Sequence, residues 1–168
     1  MMLAIVKSRG NVKGMAGSPS KATVLILNYH QATNRAFVRL LATKGIVAHA
    51  TESADEAMAM AGAHRYQLLV CRYSVCLDRG VDLIGEFWKR FGIPGVLLTG
   101  KLNEEEAAKF VLPEAYRGAL LMPVSFENLL ATLRRAMPEK CPDCLGTGQI
   151  VLLVSKKPCL KCGGKGWV

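Results

Sequence analysis

No apolar run in this chain approaches the ~20 residues that a membrane-spanning helix needs, so no membrane partner is expected. A secretory signal is missing too. The opening "MMLAIVKSRG" sets a short apolar run ahead of its basic residues, the reverse of the signal-peptide order. These two absences predict a cytoplasmic protein. Acidic residues are scarce, 13 against 22 Lys and Arg, giving a net charge of +9. The surplus is not gathered in one place. Residues 1–20 carry three basic residues and no acid, residues 21–136 carry 14 basic and 11 acidic, and residues 137–168 carry five and two, so each part is +3. A nucleic-acid binder concentrates its charge on one face or helix, whereas a diffuse surplus favours solubility and weak attraction to polyanions. The three histidines, His30, His49 and His64, are not grouped with cysteines and mark no metal or catalytic cluster.

What is present is a core-forming chain. Its 168 residues are 51% hydrophobic and 21% charged, enough for one ordinary domain and a small appendage. Residues 1–20, ending "GNVKGMAGSPS", are rich in Gly and Ser and read as a flexible leader. Order begins at residue 21. "TVLILNYH", "QLLVCR", "GVLLTG" and "GALLMP" are aliphatic runs of the kind that form strands buried on both faces, and "IVAHAT" is a shorter one. Between them lie helical patterns. "NRAFVRLLATKG" spaces Ala36, Phe37, Leu40 and Leu41 on one face and closes with Gly45. "SADEAMAMAGAH" starts with Ser53 as N-cap and Glu56 as its capping-box partner. "VDLIGEFWKRF", "NEEEAAKFVL" with Asn103 as N-cap, and "SFENLLATLRRAM" with Ser125 as N-cap complete five helices.

Five strands alternating with five helices predict an α/β fold, a parallel sheet with helices on both faces. Ligands of such sheets bind at the carboxyl ends of the strands. Those ends are Asn28 and Tyr29, Thr51, Arg72, Thr99, and Met122 with Pro123. Arg72 therefore belongs at the mouth of the sheet, where Asp78, Asp82 or backbone carbonyls are its expected partners.

With its element order, "GVLLTG" and "LLMP", the stretch from about 22 to 136 resembles the receiver domain of two-component response regulators. The resemblance implies a flavodoxin-like (CheY-like) five-stranded fold and a role in bacterial signal transduction. It also implies positions for a phosphorylation site, most of which hold other residues here. The acidic Mg²⁺-binding pair corresponds to Asn28 and Tyr29, the phosphoacceptor aspartate to Arg72, and the conserved lysine to Met122 before a retained Pro123. Thr99 and Gly80 are retained, and the aromatic switch position is Ala119. A guanidinium takes no phosphoryl group, and Mg²⁺ requires hard oxygen ligands, usually carboxylates. The resemblance thus implies a pseudo-receiver that docks proteins, through "NEEEAAKFVL", "GALLMP" and "SFENLLATLRRA". Cys71 on its strand reads as a small hydrophobe, and Cys76 as a thiol in the loop near Arg72.

Four of the six cysteines crowd the last 28 residues: Cys141-x-x-Cys144-x-Gly146-x-Gly148 and Cys159-x-x-Cys162-x-Gly164-x-Gly166, with 14 residues between Cys144 and Cys159. Two such knuckles at this spacing point to one four-cysteine zinc site. The glycines allow positive φ and let backbone N–H groups approach sulfur, and "QIVLLVSKK" between the knuckles should form a β-hairpin. So short a piece cannot bury enough surface to fold alone, so the metal is structural, and four protein ligands leave no open position for catalysis. The five tail lysines offset the formal −2 of a Zn²⁺–thiolate centre. The piece resembles the CxxCxGxG zinc region of DnaJ-type co-chaperones, which has four such repeats where this chain has two; no His-Pro-Asp signature of a J-domain is present.

The expected protein is therefore a leader (1–20), a receiver-like domain (21–136) and a Cys₄ zinc ribbon or knuckle module (137–168), acting as a non-enzymatic protein-interaction adaptor. Two other readings stand beside it: a nucleic-acid-binding regulator using the basic tail, and an anion or nucleotide sensor using the Arg72 pocket. The sequence leaves a dimer open.

Overall fold

The computed structural model describes residues 21–77, 82–100, 109, 112–152 and 155–168. The leader 1–20, Asp78, Gly80 and most of the "NEEEAAKFVL" stretch lie outside them. The main body runs β1 (Thr23–Leu27), α1 (Gln31–Ala42), β2 (Val47–Thr51), α2 (Ala54–Ala63), β3 (Leu68–Arg72), α3 (Tyr73–Leu77), α4 (Leu83–Phe91), β4 (Gly95–Thr99), β5 (Tyr116–Leu121) and α5 (Phe126–Ala136). The tail adds β6 (Gln149–Leu152) and β7 (Ser155–Pro158).

The five main strands form one parallel sheet in the order β2-β1-β3-β4-β5, the flavodoxin-like order. Successive side chains of a strand point to opposite faces, and the core divides accordingly. Leu25, Leu27, Leu69, Cys71 and Leu97 pack with Ala57, Ala61, Ile84 and Phe87 under α2 and α4. Val24, Ile26, Leu68, Val70, Val96 and Leu98 pack with Phe37, Leu41, Leu129 and Leu133 under α1 and α5. Cys71 is fully buried, as a small hydrophobe on a central strand should be. Gly95 lets α4 lie close to the sheet: a Cβ there would stand 2.7 Å from Ile84 Cγ2.

The caps explain the helix starts. Ser53 accepts from Glu56 N–H at 3.3 Å and Ser125 from Asn128 N–H at 3.2 Å. The second half of the Ser53 capping box does not form directly. Ser53 N–H donates to Thr51 Oγ1 at 3.1 Å, and the Thr51 hydroxyl in turn donates to Glu56, so Thr51 relays the bond.

One element was not read from the sequence. The chain enters α3 directly after Arg72, so Cys76 lies in a helix and not in a loop. The segment "YSVCL" is too short to show a helical stripe, and a five-residue turn stabilised by the neighbouring core leaves no periodic signal. Among the described residues, no helix is long and apolar enough to cross a membrane.

Candidate functional site

At the sheet mouth, Asn28 follows β1 and is buried. Its backbone N–H donates to Thr51 O at 3.1 Å. Its side chain is held by α1: Asn28 Nδ2 donates to Asn34 Oδ1 at 3.0 Å, and Asn34 Nδ2 donates to Asn28 O at 2.8 Å. Arg72, the last residue of β3, donates from Nη1 to Asn28 Oδ1 at 3.4 Å. The guanidinium thus meets an amide at the end of β1.

Asp82, an expected partner of Arg72, has another structural task. Its Oδ1 accepts Gly85 N–H at 2.9 Å as the N-cap of α4, and its Oδ2 accepts Leu112 N–H at 2.6 Å. The orphan amides of a helix start hold this carboxylate at its own helix. Thr99 is buried at the end of β4, Tyr29 is 44% exposed, and Met122 packs against the core on the α1 and α5 side. Of the strand-end residues Asn28, Tyr29, Arg72, Thr99 and Met122, Arg72 bonds Asn28 and Met122 N–H donates to Thr99 O at 2.7 Å.

Asn34 was missed in the sequence. Its signal was the spacing of Asn34, Phe37 and Leu41, which puts an amide on the buried stripe of α1. A second missed pair is His49 and Tyr66, which share a hydrogen bond of 2.7 Å from β2 to the start of β3. His64 packs edge-on to both rings. Burial raises the Tyr66 phenol above its usual pKa.

The four tail cysteines converge. Cys141 and Cys159 sulfurs lie 3.8 Å apart, Cys144 and Cys162 sulfurs 3.7 Å apart, and all four within 4.8 Å of one another. These separations exclude the ~2.05 Å of a disulfide. They match the ~3.8 Å edge of a tetrahedron whose corners stand ~2.3 Å from a central Zn²⁺. The four cysteines can hold a metal ion.

The two knuckles exchange equivalent bonds. Cys141 N–H donates to Gly166 O and Cys159 N–H to Gly148 O, both at 2.9 Å. Gly148 N–H points at Cys144 Sγ (3.3 Å) and Gly166 N–H at Cys162 Sγ (3.2 Å). Glycine is required at both places. Gly148 has φ 72° and Gly166 φ 95°, and a Cβ would meet the facing glycine carbonyls at 2.2 and 2.4 Å. The Gly166 donor acts on the Cys162 thiol. Burial works to raise Cys162, but Gly166 N–H and the neighbouring thiols outweigh it and bring it down to about 7. At Cys159 the lowering bond from the Cys162 backbone is outweighed by burial and by two thiol neighbours, which push it up to about 11. The expected hairpin is β6 paired antiparallel with β7.

No family model matches the chain, and no curated protein matches it. Solved structures do. A response regulator from Thermotoga maritima is 14% identical with a TM-score of 0.62, covering 70% of this chain and 98% of that one. The chemotaxis response regulator CheY4 of Vibrio cholerae is 21% identical, TM-score 0.59, covering 70% and 100%. A response regulator receiver protein from Pseudomonas putida is 22% identical, TM-score 0.60, covering 69% and 98%. The fold is that of response-regulator receiver domains.

Proposed function

We propose that this protein is a signalling adaptor built on a receiver fold that does not take a phosphoryl group, with a structural zinc ion in its tail. The observation that carries this reading is the bond from Arg72 to Asn28 Oδ1 at the mouth of the sheet. A receiver's chemistry needs a nucleophilic carboxylate and carboxylate ligands for Mg²⁺ at this point, and a guanidinium bonded to one neutral amide oxygen supplies no carboxylate. Output is then set by what binds, not by phosphorylation. The docking face is β5 with α5, where Leu121 is 61% exposed. Cys141, Cys144, Cys159 and Cys162 would hold the zinc. The ion supplies four strong bonds and closes the tail, with no open position for a substrate.

The test is acetyl phosphate treatment of the purified full chain, read by intact mass, together with elemental analysis. One zinc per chain and no added phosphoryl mass is the expected result. Arg72→Asp is expected to stay unlabelled too, because Asn28, Tyr29 and Met122 still lack the Mg²⁺ ligands and the lysine. A phosphoryl adduct on the wild-type chain would overturn the reading.

A further inference from the structure

The tail meets the domain at the end of the sheet opposite Arg72, and it does so through its second knuckle. Arg65, just ahead of β3, donates from Nη1 to Gly164 O at 2.6 Å. The same nitrogen stands 2.5 Å from where a Cβ on Gly148 would lie, so the guanidinium sits where the two knuckles face each other. Lys165 places its ammonium 5.8 Å from the centre of the Trp88 indole and 3.0 Å from where a Cβ on Gly92 would lie. Gly92 caps the carboxyl end of α4, where the helix dipole favours a cation, and the indole face attracts one too. Between these contacts is a cavity of about 210 Å³, with Ala61, Tyr66, Phe91 and Ile93 on the domain side and Gly164 and Trp167 on the tail side.

The two residues that dock are also part of the cysteine knuckle. Gly164 N–H donates to Cys159 O at 3.0 Å, Lys165 N–H donates to Cys162 O at 3.1 Å, and the next residue, Gly166, points its N–H at Cys162 Sγ at 3.2 Å. Gly164 holds φ 82°, a left-handed conformation that the knuckle imposes. A piece this short keeps such a shape only while its ligands are tied together. The backbone that presents Gly164 O to Arg65 and Lys165 to Trp88 is therefore set by the group that binds the metal.

We propose that the second knuckle is a metal-dependent clamp on the domain. The ion that ties Cys159 to the other cysteines also fixes Gly164 and Lys165, and its loss releases the tail from Arg65 and Trp88 and opens the apolar wall of Ala61, Phe91 and Ile93 to solvent. The clamp rests on the reading of the tail as a zinc site. It adds a reciprocal consequence: Arg65 and Trp88, which lie in the domain, strengthen metal binding in the tail, because coupling between two sites acts equally in both directions.

Zinc competition with a chromophoric chelator on the full chain tests the clamp, together with hydrogen exchange. Arg65, Lys165 and Lys156 are all exposed, so replacing them does not threaten the fold. Zinc binding is expected to weaken about fivefold in Arg65→Gln and about threefold in Lys165→Gln. Lys156→Gln removes the same charge from the exposed strand β7 and should leave binding unchanged. Chelation of the wild-type chain should speed exchange over residues 88–93 while β1 and β3 keep their protection, and in zinc-loaded Arg65→Gln residues 88–93 should already exchange faster than in the zinc-loaded wild type. Wild-type affinity in both Arg65→Gln and Lys165→Gln would overturn the clamp and leave the structural zinc standing. An equal loss in Lys156→Gln would also overturn it, since the effect would then be one of overall charge, as would exchange over residues 88–93 that ignores chelation. A wild-type chain that takes up no zinc would overturn the zinc reading of the tail, and the clamp with it.

Discussion

The sheet mouth and the cysteine tail sit at opposite ends of the molecule and relate chemistry to folding in opposite ways. At the mouth, five strands and two layers of helices are held by apolar side chains that lie below the strand ends. The residues at the ends can change without disturbing the sheet, provided that each buried polar group finds a partner. Asn28, Asn34 and Arg72 have found one another. In the tail the ligands are themselves the core: the four cysteines form the buried cluster, with Ile150 against them. The first region keeps its fold apart from its polar end residues, whereas in the second the same four cysteines are both the buried cluster and the group that can hold a metal ion.

The largest expected effect breaks the tail alone. Structural zinc contributes roughly 10–16 kcal/mol to folding in comparable small sites. Cys159→Ser should therefore release the metal and unfold residues 141–168. Hydrogen exchange should show protection lost there and kept in β1 to β5. Loss in both regions together would end the contrast. Next is Gly148→Ala, whose Cβ would press on Gly164 O at a positive φ. With strain of about 1–3 kcal/mol, metal affinity should fall about tenfold or more in competition with a chromophoric chelator.

Asn28→Ala is the matching change at the mouth. It strands Asn34 and Arg72 and should cost about 1–3 kcal/mol in urea unfolding, with metal content unaltered. Leu145→Gly sharpens the comparison in the other direction. Leu145 is 74% exposed and holds φ 51°, at the place where the second knuckle has Gly163 at φ 59°. Relieving the left-handed conformation should stabilise the tail by about 1–2 kcal/mol, seen as tighter metal binding. A weaker binding constant would mean that the leucine side chain has a structural role.

The smallest effect is a pH dependence of the domain. Burial raises the folded-state pKa of Tyr66, so its contribution is complete below the unfolded value of 10 and is lost as pH climbs through the raised value. Stability by denaturant titration should fall above pH 10 in the wild type, and fall less in Tyr66→Phe.

Much of the domain was legible because burial on two faces leaves a simple mark, four aliphatic runs and one shorter strand separated by helical stripes. The cysteine site was legible because metal chemistry demands one residue type at a fixed spacing. The partners of Arg72 and Asp82 were not. Asp82 lies ten residues after Arg72, yet it caps α4 and takes Leu112 N–H, while Arg72 reaches Asn28, 44 residues away. The helix α3 was invisible for a related reason: five residues carry too little pattern, and their conformation comes from their neighbours.

By itself the amino-acid order determined the alternation of strands and helices, the residues at the strand ends and the four cysteines that come together. Each follows from a local rule, periodic burial in one case and ligand type in the other. Only the tertiary structure decided which polar groups pair across the mouth, and that the tail folds back to bring Lys165 over Trp88 and Gly164 to Arg65. Those contacts join segments tens of residues apart. Hydrogen bonds and charges act over a few ångströms, so the assembled sheet, and no local pattern, selects their partners.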